Sequence, residues 1–191
     1  MKLSAPAHLP TNQGLFKVQA ILDQNQKEHI IIYKGEFTDR DDVPVRIHSE
    51  CLTSEVFGSL RCDCKEQLEA ALDYFEGEGQ GVVIYLRQEG RGIGLFNKIE
   101  AYALQDTGLD TIEANHQLGF PTDLRTYEIA VNIIKLLKIR SVRILTNNPQ
   151  KIEALKEHNI EITQCVPICV APNPYNDGYL KVKKLRMNHK I

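Results

Sequence analysis

The segment Asp63-Cys-Lys-Glu-Gln-Leu-Glu-Ala-Ala-Leu-Asp-Tyr-Phe-Glu76, the turn Gly77-Glu-Gly-Gln-Gly81 and the run Val82-Val-Ile-Tyr-Leu86 decide how this chain folds. Leu68, Ala71, Leu72 and Phe75 recur at helical spacing, so residues 63–76 are expected to be a helix with one apolar face. Asp63 and Glu66 read as an N-cap and its partner three residues on. Glycines end the helix, and Val82–Leu86 reads as an apolar strand.

The alternation continues downstream. A helix carries Ile99, Tyr102 and Ala103, and Thr126–Leu137 is another, with Ile129, Ile133, Ile134 and Leu137 facing inward. Ser141–Leu145 reads as a strand, Asn148-Pro149 opens a short helix in the cap-then-proline pattern, and Ile160–Ile168 is a last strand. Upstream, Gly14–Ile21, His29–Lys34 and Val43–Ile47 read as strands of an antiparallel sheet. The expected fold is α/β: a layered fold with N-terminal antiparallel strands and a largely parallel sheet flanked by helices. It should form a single domain over 1–191, with 1–13 and 180–191 as loose ends; the basic tail from Tyr175 reads as a terminal helix or a frayed end.

Composition limits the function. The 191 residues are 42% hydrophobic and 25% charged, ordinary for a globular chain with one substantial core. A net charge of −2 provides no general basic field for a long nucleic acid, so an anion site must come from local clusters. Five cysteines, an odd number with three close together, do not look like a disulfide framework and point to a reducing compartment. The N-terminus lacks a signal-peptide core and no apolar run approaches membrane-spanning length, so the expectation is a cytoplasmic protein with no membrane partner.

Cys51, Cys62 and Cys64 are spaced so that three thiolates can converge on one metal, zinc before others. Three protein ligands would leave a fourth tetrahedral position for water, the mark of a catalytic site; a structural zinc site and reduced core cysteines are the plainer alternatives. Cys64 falls in the first helical turn, where the dipole and free N–H groups favour a thiolate. Cys165 and Cys169 read as buried strand cysteines rather than further ligands.

Two segments suit phosphate. Arg87-Gln-Glu-Gly-Arg-Gly-Ile-Gly94 follows a strand and joins glycines to two arginines, although it matches neither the Walker nor the dinucleotide pattern; a glycine-rich turn with solvated arginines is its bland reading. Thr146-Asn-Asn-Pro-Gln-Lys151 sits between a strand end and a helix N-terminus, where anions bind, and it would also serve as an ordinary cap. Between them, Asp123 and Arg125 are either a loop-holding ion pair or an acid/base with an anion-binding partner. His116 receives no role. Glu89 or Glu50 could accept hydrogen bonds from the N1–H and N2–H₂ edge of guanine.

Taken together, Arg46-Ile-His-Ser-Glu-Cys-Leu-Thr53, Ser59-Leu-Arg-Cys-Asp-Cys64, Arg87–Leu95, Asn97-Lys98, Ala101–Asp106, Asp110–Asn115 and Leu145-Thr-Asn-Asn-Pro149 resemble GTP cyclohydrolase II from about Gly14 to about Tyr179. The resemblance implies the first step of riboflavin biosynthesis. GTP loses C8 as formate and also loses pyrophosphate, giving 2,5-diamino-6-ribosylamino-4(3H)-pyrimidinone 5′-phosphate. It implies zinc on Cys51, Cys62 and Cys64, magnesium with the triphosphate, and a homodimer. It also implies nucleotide contacts from Arg46, Ile47, His48, Ser49, Glu50, Gln67, Glu89, Gly90, Arg91, Thr111, Thr146 and Lys151. Tyr102 matches a catalytic tyrosine near the zinc, Asp123 a proton acceptor, and Arg125 a residue said to attack the α-phosphate. A guanidinium is effectively always protonated, so a cation stabilising the phosphoryl transition state is the plainer role for Arg125. Many members are fused behind a dihydroxybutanone-phosphate synthase domain; the length here suggests the monofunctional form. Two departures stand out: Lys65 where glycine is common, and cysteines at 165 and 169 where aliphatic residues are usual. A zinc-stabilised nucleotide binder without turnover would not need Tyr102, Asp123 and Arg125. A zinc nucleobase deaminase is disfavoured because His-x-Glu with Pro-Cys-x-x-Cys is missing.

Overall fold

The computed structural model describes residues 1–189. Its centre is an eight-stranded sheet made of β1 (Lys2–Leu3), β2 (Ala7–Thr11), β3 (Gly14–Leu22), β4 (Glu28–Lys34), β5 (Val43–Ser49), β6 (Gly81–Leu86), β7 (Ser141–Leu145) and β8 (Glu161–Val166). The order is β1-β3-β4-β6-β5-β7-β8, with β2 also on β3. β1 and β2 pair antiparallel with β3, β3 with β4, and β4 with β6, whereas β6, β5, β7 and β8 run parallel. The mixed α/β expectation holds, with one refinement: β5 belongs to the parallel half, not to the antiparallel N-terminal third. A parallel neighbour needs a long crossover, and α1 (Leu52–Glu55) and α2 (Cys64–Glu78) provide it between β5 and β6.

Helices cover both faces. Along β6, Val82, Ile84 and Leu86 pack toward α5 (Glu128–Leu136) and α6 (Pro149–Glu157), together with Ile133, Ile134, Ile144 and Leu155. Val83 and Tyr85 point the other way, toward Phe16, Ala71, Leu72 and Phe75 of the α2 layer. The two-residue side-chain period of a strand thus feeds two cores at once. Each fully buried side chain of the size of Phe75 contributes roughly 1.5–3 kcal/mol.

Several local expectations change. Residues 1–13 are not a loose start: β1 and β2 are zipped to β3, which gives their backbone groups partners. In the tail, α7 (Asp177–Arg186) is helical, so 180–186 are not loose either; Lys190 and Ile191 lie outside the described residues. Asp63 does sit at the start of α2 but makes no side-chain cap. Its carboxylate is taken by Gln67 and by Lys183 at 2.6 Å. The true capping box is Asp110–Glu113, opening α4 (Thr111–Gln117), a helix not anticipated from the sequence. Asn148 caps α6 as expected, accepting from the Gln150 amide. Among the described residues no helix is long and apolar enough to cross a membrane.

Candidate active site

The ends of the parallel strands deliver the polar motifs to one place. β5 leads into Cys51, β6 into the turn at Glu89–Gly92, and β7 into Thr146–Asn148. This is where ligands gather in open α/β sheets. The resulting cavity has two lobes that share Ser49, Cys64, Arg91, Arg125 and Tyr179.

The first lobe holds the thiols. The sulfurs of Cys51, Cys62 and Cys64 lie within 4.8 Å of one another, and Cys51 Sγ is 3.6 Å from Cys62 Sγ. A tetrahedral zinc with bonds of about 2.3 Å would set sulfurs ~3.8 Å apart, so the cluster fits that ion. Among the described residues no fourth His, Cys, Asp or Glu joins it. Cys165 and Cys169 are exposed, not buried as expected: Cys165 lies on the edge strand β8, and Cys169 falls beyond it in the irregular segment that follows. With only protein charges around them, three thiolates oppose one another. Hydrogen bonds from Cys62 and Cys64, and the charge of Lys98, hold Cys51 far below its ordinary value; Cys51 and Cys62 in turn push Cys64 well above it. A divalent cation bound there would supply the charge that lets all three ionise.

Glu55 braces the cluster. Its carboxylate accepts from the Cys51 amide at 3.0 Å, meets His48 Nε2 at 2.8 Å and accepts from the Tyr85 hydroxyl. The imidazole of His48 stacks on Tyr85. Tyr102, on α3 (Gly94–Asp106), places its hydroxyl 3.3 Å from Thr53 Oγ1, which is 3.8 Å from Cys51 Sγ. Burial pushes the Tyr102 phenol up to about 12, so it stays protonated. Glu89 is fully engaged: it accepts from the amides of Leu52 and Gly90 and from Lys98 Nζ at 2.7 Å. Glu50 is half-buried, and burial raises its pKa.

The second lobe is cationic. Arg46, Arg91, Arg125, Lys151 and Lys183 converge there. Arg125 is clamped by Asp123, donating from Nε at 2.9 Å and from a terminal nitrogen at 2.6 Å. Burial would raise the Asp123 carboxyl, but the hydrogen bonds and charge of Arg125 override it and hold the group below its usual value. Burial likewise opposes the charge on Arg125, but Tyr127 and Asp123 outweigh it, so the guanidinium remains protonated. Lys183 pairs with Asp63. Among the described residues the other three cations have no carboxylate partner. Arg46 donates to the Leu145 carbonyl and to Gln67, and Lys151 donates to the Ile47 carbonyl at 2.7 Å. Among the described residues, both terminal nitrogens of Arg91 are buried without a partner. Burial, with Arg46, Arg125 and Lys183 nearby, drives the Lys151 pKa well below its ordinary value. Such a surplus of buried positive charge has the chemistry to receive a polyanion.

Backbone strain aims Arg91. Gly90 and Arg91 both sit in the left-handed region, at φ 62° and 58°. The Arg91 carbonyl accepts from the Leu124 amide at 3.0 Å, which ties this turn to the Asp123–Arg125 loop. At Gly92 a Cβ would press on Leu124 from 3.0 Å.

Most residues singled out from the sequence meet in this cavity. Glu50, Glu89, Gly90, Tyr102 and Thr111 line the thiol lobe, and Arg46, His48, Gln67, Thr146 and Lys151 line the cationic one. Two do not line it. Ile47 is fully buried in the core and offers only its carbonyl to Lys151, while Asp123 stands behind Arg125. Sequence reasoning missed Lys98, which donates to both Cys51 Sγ (3.2 Å) and Glu89. It also missed Tyr179, Lys183 and His189 from the tail. The spacing of Tyr179, Lys183 and Met187 four residues apart on one helical face was the available signal.

Residues 2–167 match the family model described as GTP cyclohydrolase II. The chain is 55% identical over 189 residues to GTP cyclohydrolase-2 of Campylobacter hominis, covering 99% of this chain and 95% of the relative. It is 49% identical over 183 residues to GTP cyclohydrolase-2 of Picrophilus torridus, covering 96% of this chain and 95% of the relative. Against the riboflavin biosynthesis protein RibBA of Aquifex aeolicus it is 50% identical over 187 residues, 97% of this chain but 46% of that protein. Among solved structures it resembles RibBX, a two-domain 3,4-dihydroxy-2-butanone 4-phosphate synthase from A. baumannii, at TM-score 0.50 and 17% identity over 86% of this chain and 40% of the other, a likeness of fold alone. The chain is therefore a member of the GTP cyclohydrolase II family, enzymes of riboflavin biosynthesis.

Proposed function

We propose that this chain hydrolyses GTP with zinc on Cys51, Cys62 and Cys64. The ring opens, C8 leaves as formate, and pyrophosphate departs, leaving 2,5-diamino-6-ribosylamino-4(3H)-pyrimidinone 5′-phosphate. The observation that carries the reading is one cavity with a three-thiol cluster at one end and buried cations without carboxylate partners at the other. That pairing suits a base at one end of a nucleotide and a triphosphate at the other.

When bound, zinc supplies Lewis acidity and lowers the pKa of a water toward neutrality. The chain's own groups do the rest. Tyr102, protonated and beside the cluster, holds a proton for the opening ring. Glu50 reads the guanine edge, since Glu89 is already spent on internal donors. Arg46, Arg91 and Lys151 bind the triphosphate, which carries magnesium with it. Arg125 stabilises charge developing at the α-phosphate, and ionised Asp123 orients it and can accept a proton. A protonated, clamped guanidinium supports this role over a nucleophilic one. The reduced thiols suit a cytoplasmic enzyme, and the family resemblance suggests one domain assembled as a homodimer without nucleic-acid or membrane partners.

The test is incubation of the purified protein with GTP, zinc and magnesium while formate and pyrophosphate are assayed separately. Both should appear. Release of neither from zinc-loaded protein would overturn the proposal.

A further inference from the structure

The family match ends at residue 167, yet the cationic lobe is completed by residues beyond it. Tyr179, Lys183 and Met187 lie along one face of α7 and its end, and all three line that lobe. Lys183 is buried, 8% exposed, although half of the residues of its helix are exposed. Its ammonium lies 4.5 Å from the centre of the Tyr179 ring, and the unpartnered Arg91 guanidinium is 5.7 Å from the same ring.

The helix is strapped down by polar ties. Lys183 bonds Asp63 between two cluster cysteines, Arg186 pairs with Asp110 at the start of α4, and Asn176 donates to the Cys62 carbonyl at 3.4 Å. Each tie joins α7 to a rim of the cavity. The exposed Arg186–Asp110 pair and the long Asn176 bond are individually weak, which leaves the buried Lys183–Asp63 pair as the main polar anchor of α7.

We propose that α7 is a closing strap of the polyphosphate site, with Lys183 as a phosphate-binding residue and Tyr179 as the platform that holds Lys183 and Arg91 toward the ligand. The inference rests on the proposed use of a nucleoside triphosphate and adds a part to that site. Lys183 brings a cation that Asp63 only partly occupies, because an ammonium has three donors and Asp63 Oδ1 takes one. A bound polyphosphate accepts the others, and α7 gains anchorage it lacks without ligand.

Two measurements test this with inorganic tripolyphosphate, a probe that needs no catalysis. In calorimetric titration, Lys183→Met should weaken tripolyphosphate binding about tenfold or more and Lys183→Arg should restore most of it. Zinc content and circular dichroism should be unchanged, and the GTP KM should rise more than kcat falls. In wild-type protein, tripolyphosphate should slow tryptic cleavage after Lys181, Lys183, Lys184 and Arg186. This second measurement does not depend on any variant folding. Equal affinity in Lys183→Met and wild type, or tryptic cleavage of the tail at the same rate with and without tripolyphosphate, would overturn the strap. Protein that binds tripolyphosphate through Lys183 but releases neither product from GTP would support the strap and sink the GTP reading.

Discussion

Arg91→Ala separates ligand binding from folding. In the wild type both terminal nitrogens of Arg91 are buried without a partner, and the other cations of the lobe surround them. Removing the guanidinium therefore breaks no internal side-chain hydrogen bond among the described residues and gives up only its 5.7 Å approach to the Tyr179 ring. Alanine inherits the same left-handed φ of 58°, so the strain of roughly 1 kcal/mol is unchanged and cancels in the comparison. Thermal stability should stay within about 0.5 kcal/mol of wild type or rise. The loss appears only with substrate. A charge-assisted hydrogen bond to phosphate contributes roughly 1.5–3 kcal/mol, which predicts a fall in kcat/KM of about ten- to a hundredfold or somewhat more. The assay is steady-state formate release alongside a thermal melt of the same preparation. Wild-type kcat/KM would remove Arg91 from the phosphate site. A melt lowered by several degrees with activity intact would mean that Arg91 is structural and that its unpartnered state is misread.

Three further outcomes follow from the site. Serine at Cys51, Cys62 or Cys64 should empty the metal site by elemental analysis, while Cys165→Ser should keep it; metal loss from Cys165→Ser would contradict the three-thiol cluster. Cys51→Ser should release pyrophosphate without formate, because Cys51 does not line the cationic lobe, whereas Arg125→Ala should lose pyrophosphate release and leave Asp123 without its cationic partner; formate from metal-free protein would refute the division of labour. Lys151 has its pKa depressed by burial and by its cationic neighbours, so the free protein loses that proton as pH rises through the lowered value, and a bound triphosphate should pull it back. GTP binding should accordingly take up a proton on the alkaline side and weaken with rising pH, detectable by calorimetry in buffers of different ionisation heat and absent in Lys151→Met; uptake equal in the variant would assign it to another group.

The sequence alone determined much of this protein because its strongest signals are local. Helical spacing at Leu68, Ala71, Leu72 and Phe75, the apolar run Val82–Leu86 and the Asn148-Pro149 cap depend on neighbours a few residues away, and each element appears in the structure. The ordered motifs pointed to the family for the same reason, and the cysteine spacing anticipated the three-thiol cluster. Tertiary structure decided what depends on partners far along the chain. Asp63 gave up its expected cap because Lys183, 120 residues later, reaches it with a full charge, and a charged donor outcompetes a backbone amide. β5 joined the parallel half because β6, arriving 32 residues later, inserts between it and β4. Cys165 became exposed because β8 ended up at an edge, a position that no local pattern encodes, and Cys169 because the strand stops before it at Val166. Glu89 and Glu50 look alike in sequence, and only the convergence of Leu52, Gly90 and Lys98 on Glu89 shows which carboxylate is left for a ligand. The surplus of cations around Arg91 and Lys151 is likewise invisible in a net charge of −2, because five separate segments contribute it and burial, not composition, gives it force.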